Sequence, residues 1–383
     1  MVTRVVRVLG VLFACSGVSA ETWNSIATDV MHKAAAASRF SLPQRDRAYI
    51  VKSVLCARLW YASRVALPHP SVARRITSVI FAFLWEGRPE LVARSALRTS
   101  RSDGGLSIPC LVTISRLLAL RNVRDILDAP DYPGRSLTLY WLSTHRRVLV
   151  PRGLGNSCPT AESPLSFYAT IVQVYQQLQT ATPDCDVREV PVSRLCEALC
   201  EPEVPLLLRV QSRTANWTSA FSPDIPPGLA DFHWRLGWGV LRTRDRLARW
   251  GVANSNLYVN CGQVETNIHA VFECVVAKTF WTLLSPKVAL SLSRHFYARH
   301  RSAGLVFAAT CYVLWQQRNI AVDHQRRLGL MFPLLRRLPT LLLSHLEDAL
   351  FALGEEEFLR RWNADFIGVA GRREVLQVRW CLD

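Results

Sequence analysis

Cys261, His269 and Cys274 bring two thiols and an imidazole together within one short stretch of chain. These residue types hold zinc or another borderline-soft ion. The spacing alone leaves two readings open, a partial metal site or a hydrogen-bonded histidine beside two buried thiols. A second group with chemical potential is arginine. Arg74, Arg75, Arg94, Arg98 and Arg101 recur along one segment, and Arg242, Arg244, Arg246 and Arg249 along another. Guanidinium forks match phosphate geometry, although for any single arginine a solvated basic face is the simpler account. Nucleophile and nucleotide-cradle motifs are missing: the sequence contains no Gly-x-Ser-x-Gly, no P-loop and no His-Glu-x-x-His. No catalytic residue is assigned on this basis, and no small-molecule substrate is expected.

The chain that carries these groups has 383 residues, enough for two or three domains with ordinary cores. It is 50% hydrophobic and 20% charged, a globular rather than a disordered composition. The net charge of +16 points toward polyanions. Residues 1–124 account for +12 of it, so the basicity is concentrated toward the N-terminus. Nearly all the cations are arginine, a bias that phosphate binding and a GC-rich coding sequence explain equally well. Eleven cysteines are scattered rather than arrayed at short spacings, and the odd count leaves at least one unpaired. Reduced, mostly buried thiols in an intracellular protein, nuclear or cytoplasmic, are expected.

The first twenty residues imitate a secretory leader, with Arg4 and Arg7 before a short apolar run that ends Val18-Ser19-Ala20. The apolar run from Gly304 to Trp315 is too short to span a bilayer, which needs roughly 20 apolar residues. No membrane partner is expected.

Most of the chain reads as helix. Ser41-Leu42-Pro43-Gln44 has the form of a helix start, and Ile50, Val51, Val54, Leu55, Leu59 and Ala62 follow at helical spacing. Ser71 is placed to cap a second helix whose apolar face is Val72, Ile76, Val79, Ile80, Phe83 and Leu84. A third is expected from Ser115 to Leu127, and a fourth around Phe167 to Leu178. Thr243 is placed to cap a short basic helix that ends at Gly251. Prolines and glycines, among them Pro151, Gly153, Gly155, Pro159 and Pro164, mark loops between 129 and 232. Residues 299–350 read as helices with loops between them. The expected fold is mainly α, with a short N-terminal strand and a small hairpin at the cysteines.

Three stretches, in order, carry a resemblance. The first begins at Arg7-Val8-Leu9-Gly10-Val11-Leu12-Phe13 and continues through Leu42-Pro43-Gln44-Arg45, Leu59-Trp60-Tyr61 and Phe83-Leu84-Trp85 to Gly104-Gly105-Leu106-Ser107-Ile108-Pro109. The second includes Asn216-Trp217, Phe232-His233-Trp234-Arg235-Leu236, Gly239-Val240-Leu241-Arg242-Thr243-Arg244, Cys261-Gly262-Gln263-Val264-Glu265-Thr266 and His269-Ala270-Val271-Phe272-Glu273-Cys274. The third is Val313-Leu314-Trp315-Gln316-Gln317-Arg318-Asn319. Together they resemble the C-terminal region of LINE-type, non-LTR retrotransposon reverse transcriptases: a post-palm strand and helical thumb, a zinc-binding module, and a downstream helix. Val8 departs from the family, which usually has an aromatic residue there.

The resemblance implies four regions. These are a strand and thumb-like region at 1–128, a partly helical connector at 129–215, a zinc-binding-like module at 216–285 and a helical region at 286–383. It also implies that residues 4–13 form a buried strand rather than a leader. The family's ligand pattern, Cys-x-x-Cys then His-x4-Cys, falls on Cys261, His269 and Cys274, with Tyr258 in the place of the first cysteine. A phenol is not a normal substitute for a thiolate in such a site. The implied cofactor is therefore zinc on an incomplete ligand set, with water or a displaced side chain in the fourth place. Losing a ligand is expected to leave the knuckle loose, because binding energy in such modules is folding energy. Reverse transcriptases also use adjacent aspartates to hold two divalent metals, and this sequence contains no Asp-Asp pair. The expectation is a retrotransposon-derived fragment without polymerase activity of its own, binding RNA or DNA non-specifically through the nine arginines. The alternative is the C-terminal part of an active RNA-directed DNA polymerase whose palm lies upstream or on another chain.

Overall fold

The computed structural model describes residues 6–8, 11–14, 17–18, 20–150, 159–183, 185–200, 217–288, 301–323, 331–362, 367–370 and 377–380. The loop markers Pro151, Gly153 and Gly155, Asn216 of the second stretch, and the connector's last residues, 201–215, lie outside the described residues. The fold is mainly α, as the sequence indicates. It divides into two compact units, one of Met1–Thr99 with Gly105–Glu203 and one of Ser100–Gly104 with Val204–Asp383.

The first unit opens with three short antiparallel strands, Val6–Val8, Val11–Ala14 and Gly17–Val18. Val8 pairs with Val11, so the single strand expected over Arg7 to Phe13 is two strands paired with each other. Such pairing satisfies backbone groups that a lone strand would leave open. The Ala20–Ala37 helix buries Trp23, Ile26, Ala27 and Val30, and it packs on the Pro70–Leu84 helix, which buries Ile76, Ile80, Phe83 and Leu84. The cap of that second helix is His69 rather than Ser71: the His69 ring accepts from the Ser71 backbone N–H at 3.3 Å. Pro70 fills the first helical position, where its missing N–H costs nothing.

The helix that begins at Gln44 is interrupted by a π turn, Val51–Leu55, before resuming as Ala57–Ser63. The extra residue in that turn shifts the phase of the apolar stripe. Val51, Leu55 and Leu59 stay buried while Val54 turns out to solvent. Helix Leu111–Asp128 then forms the spine of a second core. Leu117, Leu120 and Val123 meet Ile171, Val174 and Leu178 of Ser166–Ala181, and Leu195 of Val192–Leu199. The described connector residues are thus largely helical and share a core with this helix.

The second unit packs Pro227–Gly237, Val275–Val288, Arg301–Asp323, Met331–Leu353 and Glu355–Trp362 around one apolar core. A two-stranded antiparallel hairpin, Ile367–Ala370 with Gln377–Trp380, follows where only helix was expected. Four-residue strands rich in Ile, Val and Trp are too short to show a period. No described helix is long and apolar enough to cross a membrane.

Within this unit Gly104 adopts a left-handed conformation, φ +84°. Its carbonyl accepts from both the Trp234 and Trp238 indole N–H groups, at 2.7 and 2.9 Å. A Cβ placed there would lie 2.4 Å from the Trp217 ring. Gly104→Ala is therefore expected to destabilise this unit by about 2–3 kcal/mol, combining left-handed strain with overpacking. A urea unfolding curve checks this, and an unchanged midpoint would contradict it.

Candidate metal centre

The backbone sets the ligand spacing. A bridge between Leu257 and Val264 closes a reversed loop over the segment that contains Cys261. Inside it, the Cys261 and Gly262 N–H groups both reach the Tyr258 carbonyl, at 3.3 and 2.8 Å. Gly262 supplies the left-handed φ of +70° that this tight turn requires. The expected small hairpin is thus present as a single bridge closed by a turn.

The His-x4-Cys spacing is one π turn, His269–Glu273, in which the Cys274 N–H donates to the His269 carbonyl at 2.8 Å. That i to i+5 bond brings the two side chains onto one side of the chain. The turn is started by Thr266, whose hydroxyl accepts from the His269 N–H at 3.0 Å.

Cys261, His269 and Cys274 converge. Their ligand atoms lie within 4.8 Å of one another, and Cys261 Sγ is 3.1 Å from His269 Nε2. His269 and Cys274 are buried and Cys261 is half-buried. Burial pushes the Cys274 thiol above its ordinary value, so an ion binding here must displace a proton.

Tyr258 is only 4% exposed and belongs to the core of the second unit. Its ring meets the His269 ring edge-on, with centroids 6.2 Å apart, and Asn260 Nδ2 donates to its hydroxyl at 3.1 Å. Burial raises the phenol pKa, which keeps it protonated and a poor ligand. At the position where a first cysteine was expected, the Tyr258 ring packs into the apolar core of the unit. Three of the four family positions therefore suit zinc, and the fourth is occupied by a neutral aromatic group.

Sequence reasoning missed the residue that ties this loop to the rest of the unit. Glu265 is fully buried, and its carboxylate accepts from Arg318 Nε at 2.7 Å and also from Arg318 Nη2. The same carboxylate accepts from the Arg244 backbone N–H, at the start of the Arg244–Arg249 helix. Thr243 precedes that helix but makes no capping bond with its side chain; Glu265 does the capping from a distance. Arg318 in turn stacks 4.6 Å over the Trp315 ring and donates to Asn319 Oδ1 at 3.0 Å. An acidic residue midway between two candidate metal ligands was the available signal.

The arginines fall into two sets by unit. In the first unit Arg74 and Arg75 are exposed with no carboxylate partner among the described residues, and Arg75 reaches Met31 Sδ at 3.4 Å. Arg94 is held by Glu90 at 2.6 Å and lies 4.6 Å over the Phe81 ring. Arg98 is half-buried, with its Nε enclosed and lacking a hydrogen-bond partner. In the second unit Arg101 is exposed over the Phe221 ring and Arg242 is exposed. Arg244 donates to the Ser255 carbonyl, Arg246 to the Gly239 carbonyl, and Arg249 pairs with Asp245 at 2.6 Å.

Residues 205–281 match a family model described as zinc-binding in reverse transcriptase. The match contains all three converging ligands, Tyr258 and Glu265, and overlaps the module expected at 216–285. No curated protein matches the chain in sequence.

Proposed function

We propose that this chain, which carries a reverse-transcriptase-related zinc-binding module, derives from a LINE-type, non-LTR retrotransposon reverse transcriptase and binds RNA or DNA without sequence preference. The observation that carries the reading is the convergence of Cys261, His269 and Cys274 inside the matched module. In this reading residues 1–128 serve as the thumb-like region, and the chain alone does not polymerise because it has no adjacent aspartates to hold the two metals. The three ligands would hold zinc weakly, and the ion would act as a structural crosslink between the Tyr258–Cys261 turn and the π turn.

Phosphate contacts would come from arginines whose guanidinium groups are not already committed. Arg74, Arg75 and Arg242 meet that condition best, being exposed and without carboxylate partners among the described residues. Arg94 and Arg249, clamped by Glu90 and Asp245, would contribute less. Fluorescence anisotropy with labelled RNA and DNA duplexes across a salt series tests the proposal. The full chain is expected to bind both with a steep salt dependence and little sequence preference. Arg74→Ala with Arg75→Ala should lower the log–log salt slope by about 2, close to 0.9 per lost phosphate contact. A salt-independent affinity, or an unchanged slope in the double variant, would remove this pair from the interface. Primer extension by the chain alone would overturn its assignment as non-catalytic.

A further inference from the structure

The second unit carries one large aromatic side chain that its core leaves out. Among the described tryptophan side chains Trp250 alone is exposed, at 48%, while the others are buried or half-buried. An indole dominates the energetics of any core it enters, so leaving one in water forgoes a large gain.

The backbone fixes the ring there. Trp250 ends the Arg244–Arg249 helix, and its N–H donates to the Arg246 carbonyl at 3.1 Å. Gly251 follows with a left-handed φ of +71°, and the Val252 N–H turns back to the Leu247 carbonyl at 2.9 Å. Nothing lies within 4 Å of where a Cβ on Gly251 would stand, so the chain beside Trp250 is open to an approaching backbone.

One face of the ring is already taken. The Arg246 guanidinium lies 5.0 Å from the ring centroid, and its Nη1 is anchored on the Gly239 carbonyl at 2.8 Å. That contact steadies the indole and sets a cation against it. Residues 242–249 hold four arginines against one aspartate, and the aspartate is occupied by Arg249 at 2.6 Å. Arg242 is exposed. The result is a flat apolar surface in a positive field.

That combination selects among polyanions. An acidic peptide would satisfy the charge but makes no use of a planar face. A duplex keeps its bases stacked on one another and offers phosphates alone. An unpaired nucleobase on a phosphate backbone satisfies both.

We propose that Trp250 is a stacking platform for an unpaired nucleobase, with Arg246 backing the ring and the neighbouring arginines supplying phosphate contacts. The site rests on the nucleic-acid reading above and narrows it, at this module, to single-stranded RNA or DNA.

Fluorescence anisotropy of the full chain tests the site, with short labelled oligouridylate, oligothymidylate and a duplex as probes. Trp250→Ala should weaken binding to the single strands about tenfold to a hundredfold, the range one stacked base supplies, and leave duplex binding within about twofold. Trp250→Phe, which keeps a ring, should recover most of the loss. The more tightly bound of the two single strands names the source as RNA or DNA. A second measurement needs no variant. A strand stripped of its bases but not of its phosphates should bind the natural chain as weakly as the intact strand binds Trp250→Ala. Equal losses on single strand and duplex would give Trp250 a merely structural role and overturn the platform. No loss on any probe would overturn it too, as would equal affinity of the natural chain for abasic and intact strands. No binding of any probe by the natural chain would overturn the nucleic-acid reading itself, and the platform with it.

Discussion

Replacing Tyr258 with cysteine is expected to turn a weak three-ligand site into a tight four-ligand one. Structural zinc in small modules supplies roughly 10–16 kcal/mol of apparent binding free energy. Divided among four ligands this is about 2.5–4 kcal/mol each, or on the order of 10²–10³-fold in affinity. The backbone is already shaped for the change, since the Tyr258 carbonyl accepts the turn bonds from Cys261 and Gly262 that a cysteine would keep. The metal-free variant should be the less stable form, because removing a buried aromatic ring from the core costs about 2–4 kcal/mol. Zinc should reverse that order. The expected pattern is therefore a Tyr258→Cys protein that melts below the natural chain without zinc and above it with zinc. It should also keep its zinc against a chelator that strips the natural chain, and release it only at lower pH, where the thiolates are reprotonated. No gain in zinc retention would mean that the loop does not present residue 258 to Cys261, His269 and Cys274.

Elements governed by local periodicity were legible in the sequence. The apolar stripe of Pro70–Leu84 and the extent of Ser166–Ala181 follow from 3.6-residue spacing, as does the α class of the fold. The candidate ligands were legible because three of them fall within one short stretch and belong to a recognisable module. Features that depend on one residue more or less per turn were not. The π turn Val51–Leu55 exposes Val54 against its hydrophobic pattern, and the π turn His269–Glu273 makes His-x4-Cys a spatial pair. Capping was misjudged wherever a distant group won: His69 rather than Ser71 caps one helix, and Glu265 rather than Thr243 caps another. Tertiary convergence has no local signature at all. Thr113 meets Cys200 because Val192–Leu199 packs on Leu111–Asp128. Arg47, which no local pattern singles out, is buried, bonding the Leu42 and Phe83 carbonyls and pairing with Glu86 at 2.7 Å.

Arg318→Met is expected to produce the largest loss of stability in the second unit. Glu265 has no exposed surface, and Arg318 is almost as deeply enclosed. Two charges buried together roughly break even against apolar residues, but removing one partner strands the other, at a cost of about 3–5 kcal/mol. The stranded carboxylate would keep only the Arg244 N–H as a donor among the described bonds. Glu265 lies four residues before His269, and its own N–H donates to the Asn256 carbonyl at 2.9 Å, so the bond to Arg318 also positions the ligand loop. Arg318→Met should therefore lower zinc retention although Arg318 is not one of the ligands. Glu265→Gln combined with Arg318→Met should be less harmful than the two single losses added, because neither charge is left alone. Urea unfolding of the three variants, with zinc content measured in parallel, separates the roles. A midpoint for Arg318→Met equal to that of the natural chain would refute the anchoring role. A lower midpoint with unchanged zinc retention would confine Glu265 and Arg318 to holding the helices. A fall in both would make the ion pair the link through which the downstream Trp315-Arg318-Asn319 helix supports the knuckle.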